Sequence, residues 1–224
     1  MDHLEKELKK EFQLERMILF SDAVFAIAIT LLILEIRIPE ISGNVTDKLL
    51  LQALAALGPK FVGFIISFML IGMYWTIHHR MFGYVINYNQ KLLWLNLFFL
   101  FFIILMPFST GFYGEYTGAE LIKNQLKVPM TFYVLNFCFV GLFNFIMWIY
   151  VTNPKNKLMY ASALTSDMKL SRARALVVPI IFFCMLPVAY FFNVAVAVYI
   201  PLMIPIVMKI VHRFYREKTE SISK

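Results

Sequence analysis

Residues 17–36 constrain the fold most, because this stretch is long and apolar enough to cross a lipid bilayer. A helix over these residues rises about 30 Å at roughly 1.5 Å per residue, which matches the thickness of the hydrocarbon core. Charged residues nevertheless lie inside or beside it, at Arg16, Asp22 and Glu35. Since an isolated carboxylate in hydrocarbon costs several kcal/mol, Asp22 requires a polar partner or a water-filled crevice.

One face of this helix carries a column of mainly apolar side chains. At about 100° per residue, the members of this column lie within about 60° of Ile27: Phe20, Ala23, Thr30, Leu31 and Leu34. Ser21 and Asp22 point away from it. The column is either a packing face or, in several copies around an axis, a hydrophobic constriction that gates by expelling water. The spacing alone leaves both interpretations open.

The composition indicates a polytopic membrane protein. Hydrophobic residues make up 60% of the 224 residues, with 23 phenylalanines, and a soluble domain could not cover this much apolar surface. The net charge of +7 lies between the apolar stretches, so topology explains it better than a nucleic-acid partner, and we expect none. Cys138 and Cys184 lack the paired spacing of a disulfide framework or a zinc motif.

Six apolar stretches predict six membrane spans in a single all-α domain over residues 1–224: 17–36, 59–77, 92–112, 129–151, 176–192 and 194–211. Residues 2–15 are expected to form a solvated helical lead-in, and residues 114–127 and 152–175 to form polar loops. With both termini on one side, that side carries 16 of the 21 lysines and arginines, whereas the outer loops carry 3 and 2. The positive-inside rule thus predicts a multi-pass protein of the cell membrane with cytoplasmic termini.

The polar residues of these spans match no familiar catalytic or metal-binding pattern. His78 and His79 diverge by about 100° on a helix, so they cannot bind one metal ion from a single helix face. The other candidates contain no recognisable pair of nucleophile and base: Ser21, Asp22, Ser67 and Asn96. The sequence also lacks a phosphate-binding loop and the Thr-Val-Gly-Tyr-Gly filter of potassium channels. We therefore expect neither an enzyme nor a bound metal or cofactor.

A motif at the start of the first span is more specific. Arg16-x-x-x-Phe20-Ser21-Asp22 is followed by Ala-x-x-Ala-Ile-Ala-Ile-Thr-Leu, and the second span ends in Trp75-x-x-His78-His79. These residues resemble the signature of the lysosomal potassium channel family, transmembrane protein 175. The single six-span unit is similar to the prokaryotic members of that family.

The resemblance implies a potassium-permeable cation channel without a backbone-carbonyl filter. It implies a homotetramer in the lipid bilayer, in which the first helix of each subunit lines the pore. By alignment of the motif, Ile27 would form the hydrophobic gate, with Leu31 and Leu34 as further apolar rings. Thr30 would give a mild preference for potassium over other monovalent cations.

The remaining motif residues would form a network that holds the first span to its neighbours: Arg16, Phe20, Ser21, Asp22, Trp75, His78 and Asn96. The resemblance also implies zinc as a blocker of the pore, for which the sequence displays no site. It implies no cofactor besides the permeant potassium ions.

Two other functions remain open at the level of sequence. A cation transporter could couple to protons through Asp22 and His78, because histidine titrates near neutral pH. Its flux would saturate and depend on a proton gradient. A membrane enzyme or scaffold would show no ion flux.

Overall fold

A computed structural model describes residues 2–41, 43–116, 123–159, 166–204, 206–207, 209–210 and 213. These residues form helices and connections, with no β-strand among them beyond an isolated bridge between Val85 and Met159. The α-helices are α1 Asp2–Leu31, α2 Asp47–Ala56, α3 Gly58–Phe82, α4 Gln90–Glu115, α5 Val128–Val151, α6 Ser166–Phe191 and α7 Val194–Ala197. Short 3₁₀ segments lie at Leu32–Glu35, Pro154–Asn156 and Ile200–Met203.

Within the described part of the chain, four helical stretches are long and apolar enough to cross a membrane: Leu8–Glu35, Gly58–Phe82, Gln90–Glu115 and Val128–Val151. They contain the first four predicted spans, except for Ile36 at the end of the first. The all-α, polytopic fold class is therefore confirmed, while the count of six spans stays a prediction. The fifth and sixth predicted spans correspond to shorter apolar helical stretches, Leu176–Phe191 and Val194–Met203.

The C-terminal part differs from the sequence-based prediction in two places. The expected polar loop over residues 152–175 includes the first turns of α6, which begins at Ser166. The expected span 194–211 is interrupted after Ala197, and a 3₁₀ segment follows at Ile200–Met203. A cause lies in the sequence, because Pro201 lacks the backbone donor that a continuing α-helix needs.

Side-chain caps and prolines set several helix starts. Thr46 accepts a hydrogen bond from the backbone N of Leu49 at 3.3 Å, and Asn89 accepts one from Leu92 at 2.9 Å. Both α3 and α5 carry proline in the first turn, where the missing N–H costs nothing. These local signals separate α2 from α3 and start α4 directly after the connection 83–89.

The helices pack side by side in a row, with α4 at the centre. α1 lies against α3 and α4, α4 lies against α5, and α5 lies against α6. Large buried side chains fill these contacts: Phe25, Tyr74, Phe99, Phe137, Trp148 and Phe182. Ring pairs tie neighbouring helices together, for example Phe137 and Phe182, whose centroids are 4.6 Å apart.

Polar side chains inside the bundle bond across helices. The hydroxyls of Ser67 and Tyr133 are 3.0 Å apart, and Thr110 donates to Ser67 at 2.8 Å. Asn136 donates to Ser109 at 3.1 Å. Since polar groups in an apolar interior are costly unless bonded, these contacts hold α3, α4 and α5 in one register.

Gly141 allows the close approach of α5 to α6. A Cβ atom there would overlap the Pro179 ring, at 2.7 Å from its Cβ, and would lie 3.0 Å from the Tyr74 hydroxyl. Both neighbours are rigid or buried, so neither can move away freely.

We therefore expect Gly141→Ala to destabilise the protein by about 1–3 kcal/mol through overpacking. Gly63→Ala is the matched control, because a Cβ at Gly63 would meet nothing within 4 Å. The unfolding temperature of the detergent-purified protein, followed by tryptophan fluorescence, should fall for the first variant only. Equal temperatures for the two variants would contradict this account of the contact.

Candidate pore face and polar network

The column of side chains on α1 is uncovered in the subunit. Phe20 is 53% exposed, Ile27 56%, Leu31 39% and Leu34 70%. Ala23 and Thr30 on the same face are also exposed. This column is therefore free to meet lipid, another subunit or the lumen of a pore.

The opposite face of α1 is buried against α3 and α4. Its members recur at helical spacing and are nearly inaccessible: Met17, Ser21, Val24, Phe25 and Ala28. Leu32, in the 3₁₀ segment that follows, is also buried. Division of one helix into a buried and an exposed half is the expected pattern for the outermost member of a bundle. The packing thus fixes which residues of α1 remain outside.

Thr30 is the polar member of the exposed column. Its hydroxyl donates to backbone carbonyls of its own helix, with Oγ1 at 2.9 Å from the Ile27 oxygen and 3.1 Å from the Ala26 oxygen. Because the proton is committed to these carbonyls, the lone pairs of Oγ1 are available to a cation.

The outer column ends in a 3₁₀ segment, Leu32–Glu35, in which Leu32 is buried and Leu34 exposed. The Glu35 carboxylate lies over the backbone of Gly111 on α4, where a Cβ atom would collide with it. Nearby, Lys60 donates to Glu115 at 2.7 Å and links α3 to α4. The absence of a side chain at Gly111 lets the end of the first helix approach α4 closely.

Asp22 is bonded to the second span. The indole Nε1 of Trp75 on α3 donates to Asp22 Oδ1 at 2.9 Å. Asp22 thus has the polar partner that a carboxylate in this position requires. Arg16 and Phe20 are not part of this bond: the Arg16 guanidinium lies 5.9 Å from the Phe12 ring centroid, and Phe20 is exposed.

Ser21, Asn96 and His78 form a second, fully buried chain. Ser21 donates to the Met17 carbonyl at 2.8 Å and accepts from Asn96 Nδ2 at 2.9 Å. His78 Nε2 lies 2.8 Å from Asn96 Oδ1, so His78 is the donor of this bond. Asn96 on α4 thereby bonds to α1 through its amide nitrogen and to α3 through its amide oxygen.

Aromatic rings enclose His78. Its ring centroid is 4.4 Å from that of Phe82 and 5.6 Å from those of Phe25 and Phe99, and the Phe99 ring is nearly parallel to it, at 4°. His78 is 1% exposed. The imidazole is therefore shielded from the exposed column of α1 by Phe25 on the same helix.

Sequence reasoning missed these aromatic partners. The chain contains 23 phenylalanines, and nothing in the sequence distinguishes Phe99 from the others. For Phe25 the sequence does carry a signal, because it follows Ser21 by four residues and therefore lies on the same helix face. The contacts among Ser67, Thr110 and Tyr133 had no sequence signal, since the residues lie far apart in the chain. Among the described residues, no three His, Cys, Asp or Glu side chains are grouped to hold a metal ion.

Parts of this sequence are similar to known proteins. Residues 16–107 match the sequence model of the family described as endosomal/lysosomal potassium channel TMEM175. A potassium channel of Streptomyces collinus is 42% identical over 101 residues, which are 45% of this chain and 48% of that protein. An endosomal/lysosomal proton channel TMEM175 of Gallus gallus is 34% identical over 147 residues, 63% of this chain and 28% of that protein. The chain thus spans about half the length of the bacterial relatives it matches.

The fold is shared as well. The crystal structure of a lysosomal potassium-selective channel TMEM175 homolog from Chamaesiphon minutus matches with a TM-score of 0.60 and 27% identity, covering 86% of this chain and 98% of that one. Helices of membrane-spanning length and this likeness define an all-helical, polytopic membrane protein. More specifically, residues 16–107 are similar in sequence to the TMEM175 family, and the fold is similar to that of a TMEM175 homolog. The family resemblance predicted from the motif of residues 16–22 is confirmed.

We expect Trp75→Phe to destabilise the protein by about 1–2 kcal/mol, because it removes a donor to a charged acceptor while keeping an aromatic ring. Trp94→Phe is the control, since Trp94 is an exposed residue of α4. Heating in detergent followed by size-exclusion chromatography should show earlier loss of assembled protein for Trp75→Phe. Indistinguishable melting of the two variants would mean that the bond to Asp22 contributes nothing.

Proposed function

We propose that the protein is a potassium-permeable cation channel in which α1 lines the pore of a homotetramer. One observation carries this proposal: α1 presents an uncovered column with Ile27 at its middle, while its other face is fixed to the bundle. The names of the bacterial and vertebrate relatives, which describe ion channels, support it. The relatives give no reason to assign an enzymatic reaction.

A ring of Ile27 side chains would act as a hydrophobic gate. An apolar constriction expels water when narrow, and an ion then loses hydration that no nearby oxygen replaces. Leu31 and Leu34 would form further apolar rings on the same face. Small changes in the tilt or rotation of α1 would widen these rings and restore the water.

Thr30 would set the mild preference for potassium. Its hydroxyl oxygen is the polar atom nearest to Ile27 on the column, and it faces outward with its proton bonded to the helix. Four such oxygens would partly replace the water that an ion sheds. Potassium needs less compensation than sodium, because its hydration is weaker.

The network around Asp22 and Asn96 would keep α1 in place rather than carry ions. Ser21 and Asn96 are fully buried, and Ser21 lies on the face of α1 opposite to the column. The same burial argues against a transporter that uses His78 as its proton carrier. A proton could not reach this imidazole without displacing the rings that enclose it.

The protein would reside in the cell membrane with cytoplasmic termini, as the distribution of lysines and arginines favours. Vertebrate relatives are named proton channels, so permeation of protons belongs in any functional test. A pH gradient imposed across the bilayer separates proton current from potassium current by reversal potential.

Ile27→Asn should increase the leak current, because a polar side chain keeps the constriction wet. The measurement is single-channel recording of purified protein in planar bilayers under a potassium/sodium gradient. Ile104→Asn is the control, since Ile104 is an equally exposed isoleucine on α4. Unchanged conductance in Ile27→Asn, with a properly folded protein, would refute the gate.

Thr30→Val should shift the reversal potential toward equal permeability of potassium and sodium, because it removes the hydroxyl and keeps the shape. Thr76→Val is a close control: Thr76 is exposed and also donates to its own helix, to the Gly72 carbonyl at 2.9 Å. A preference that survives in Thr30→Val would place selectivity elsewhere.

A further inference from the structure

A cavity of about 590 Å³ opens at the end of the bundle that carries the N-terminal part of α1. Three separate parts of the chain line it: Lys10, Glu11 and Leu14 of α1, residues 85–87 after α3, and Lys157 after α5. It lies away from the exposed column and is used by none of the channel functions proposed above.

The walls of the cavity are fixed by backbone contacts. Val85 and Met159 pair in an isolated antiparallel bridge, and the Ile86 N–H donates to the Leu158 carbonyl at 2.9 Å. Lys157 has a left-handed backbone with φ 52°, and its N–H donates to the Pro154 carbonyl. The two connections are thus held together, and Lys157 is placed beside the base of α1.

The polar lining combines cations with hydroxyl-binding groups. Lys10 and Lys157, from distant parts of the chain, supply two ammonium groups, which suit a phosphate. Glu11 would repel a bare phosphate, yet it accepts hydrogen bonds from hydroxyls. Asn87 adds an amide, whose oxygen already accepts from the Tyr88 N–H at 2.9 Å. Such a set fits a phosphate that carries a polyol.

We propose that this cavity binds the headgroup of an anionic phospholipid whose phosphate bears a hydroxylated substituent, such as phosphatidylglycerol. A lipid is favoured over a soluble phosphate because apolar residues surround the site. Leu8 and Phe12 of α1 are exposed one turn apart among charged residues, and Ile86 in the cavity wall is also exposed. This pattern is typical of a helix segment at the membrane interface.

If the protein is a channel, as proposed above, a lipid bound at this site would regulate it. A bound headgroup would join the base of α1 to the connections that follow α3 and α5. Because α1 carries the column with Ile27, the lipid would limit how far this helix tilts. The anionic lipid content of the membrane would then set how readily the gate opens.

The test measures lipid binding and requires no channel activity. Native mass spectrometry of the detergent-purified protein, titrated with dioleoylphosphatidylglycerol, gives the bound lipid per subunit. The double variant Lys10→Gln/Lys157→Gln should bind about tenfold more weakly, as expected for loss of two charge-assisted contacts. Lys9→Gln/Lys155→Gln is the matched control: it removes the same charge from the same two segments, outside the cavity.

The single variant Lys10→Gln should weaken binding about threefold, and it serves if the double variant fails to fold. Equal losses in the cavity and control variants would mean diffuse charge attraction and overturn the site. Glycerol phosphate that competes at the same concentration as the lipid would identify a soluble ligand and overturn the lipid assignment. Cavity variants that bind the lipid as tightly as the unaltered protein would also overturn the proposed site. So would an unaltered protein that binds no lipid.

Discussion

The hydrogen bonds of the Asn96 amide determine how the first helix lies on the bundle. Asn96 donates to Ser21 and accepts from His78, so a single side chain on α4 fixes both α1 and α3. In an apolar interior such bonds are hard to exchange for alternatives, because neither water nor other polar groups are at hand. The rotation of α1 about its axis follows from them, and with it the identity of the residues that stay exposed.

Helical periodicity made much of the first helix predictable. The grouping of Phe20, Ile27, Leu31 and Leu34 on one face, with Ser21 and Asp22 pointing away from it, follows from about 100° per residue. That this face is uncovered came from the structure, because periodicity is equally compatible with a buried packing face. Asp22 could be assigned a need for a partner, since ionised groups in lipid must be compensated. The partner itself came from the family resemblance, because Trp75 is separated from Asp22 by 53 residues.

Other features could not be read from the sequence. The rings around His78 come from three helices, and a chain with 23 phenylalanines offers many equivalent candidates. The cavity near Lys10 depends on two connections whose pairing, between Val85 and Met159, has no local signal. Local patterns also predicted a continuous span over residues 194–211, where the α-helix ends at Ala197 and a 3₁₀ segment that contains Pro201 follows. The number of subunits cannot be inferred from the sequence, because the same apolar faces occur in monomers and in oligomers.

The change from α to 3₁₀ geometry at Leu32 gives the end of the first helix a degree of freedom of its own. A 3₁₀ helix turns about 120° per residue and rises about 2.0 Å, against about 100° and 1.5 Å in an α-helix. Rewinding between Leu31 and Leu34 would therefore swing Leu34 by about 60° and draw it back by about 1.5 Å. Ser21 and Asn96 would keep their places, whereas the buried Leu32 and the Glu35 side chain over Gly111 would move with the segment. The outermost side chain of the column can thus change direction by a local screw motion, independently of any movement at Ile27.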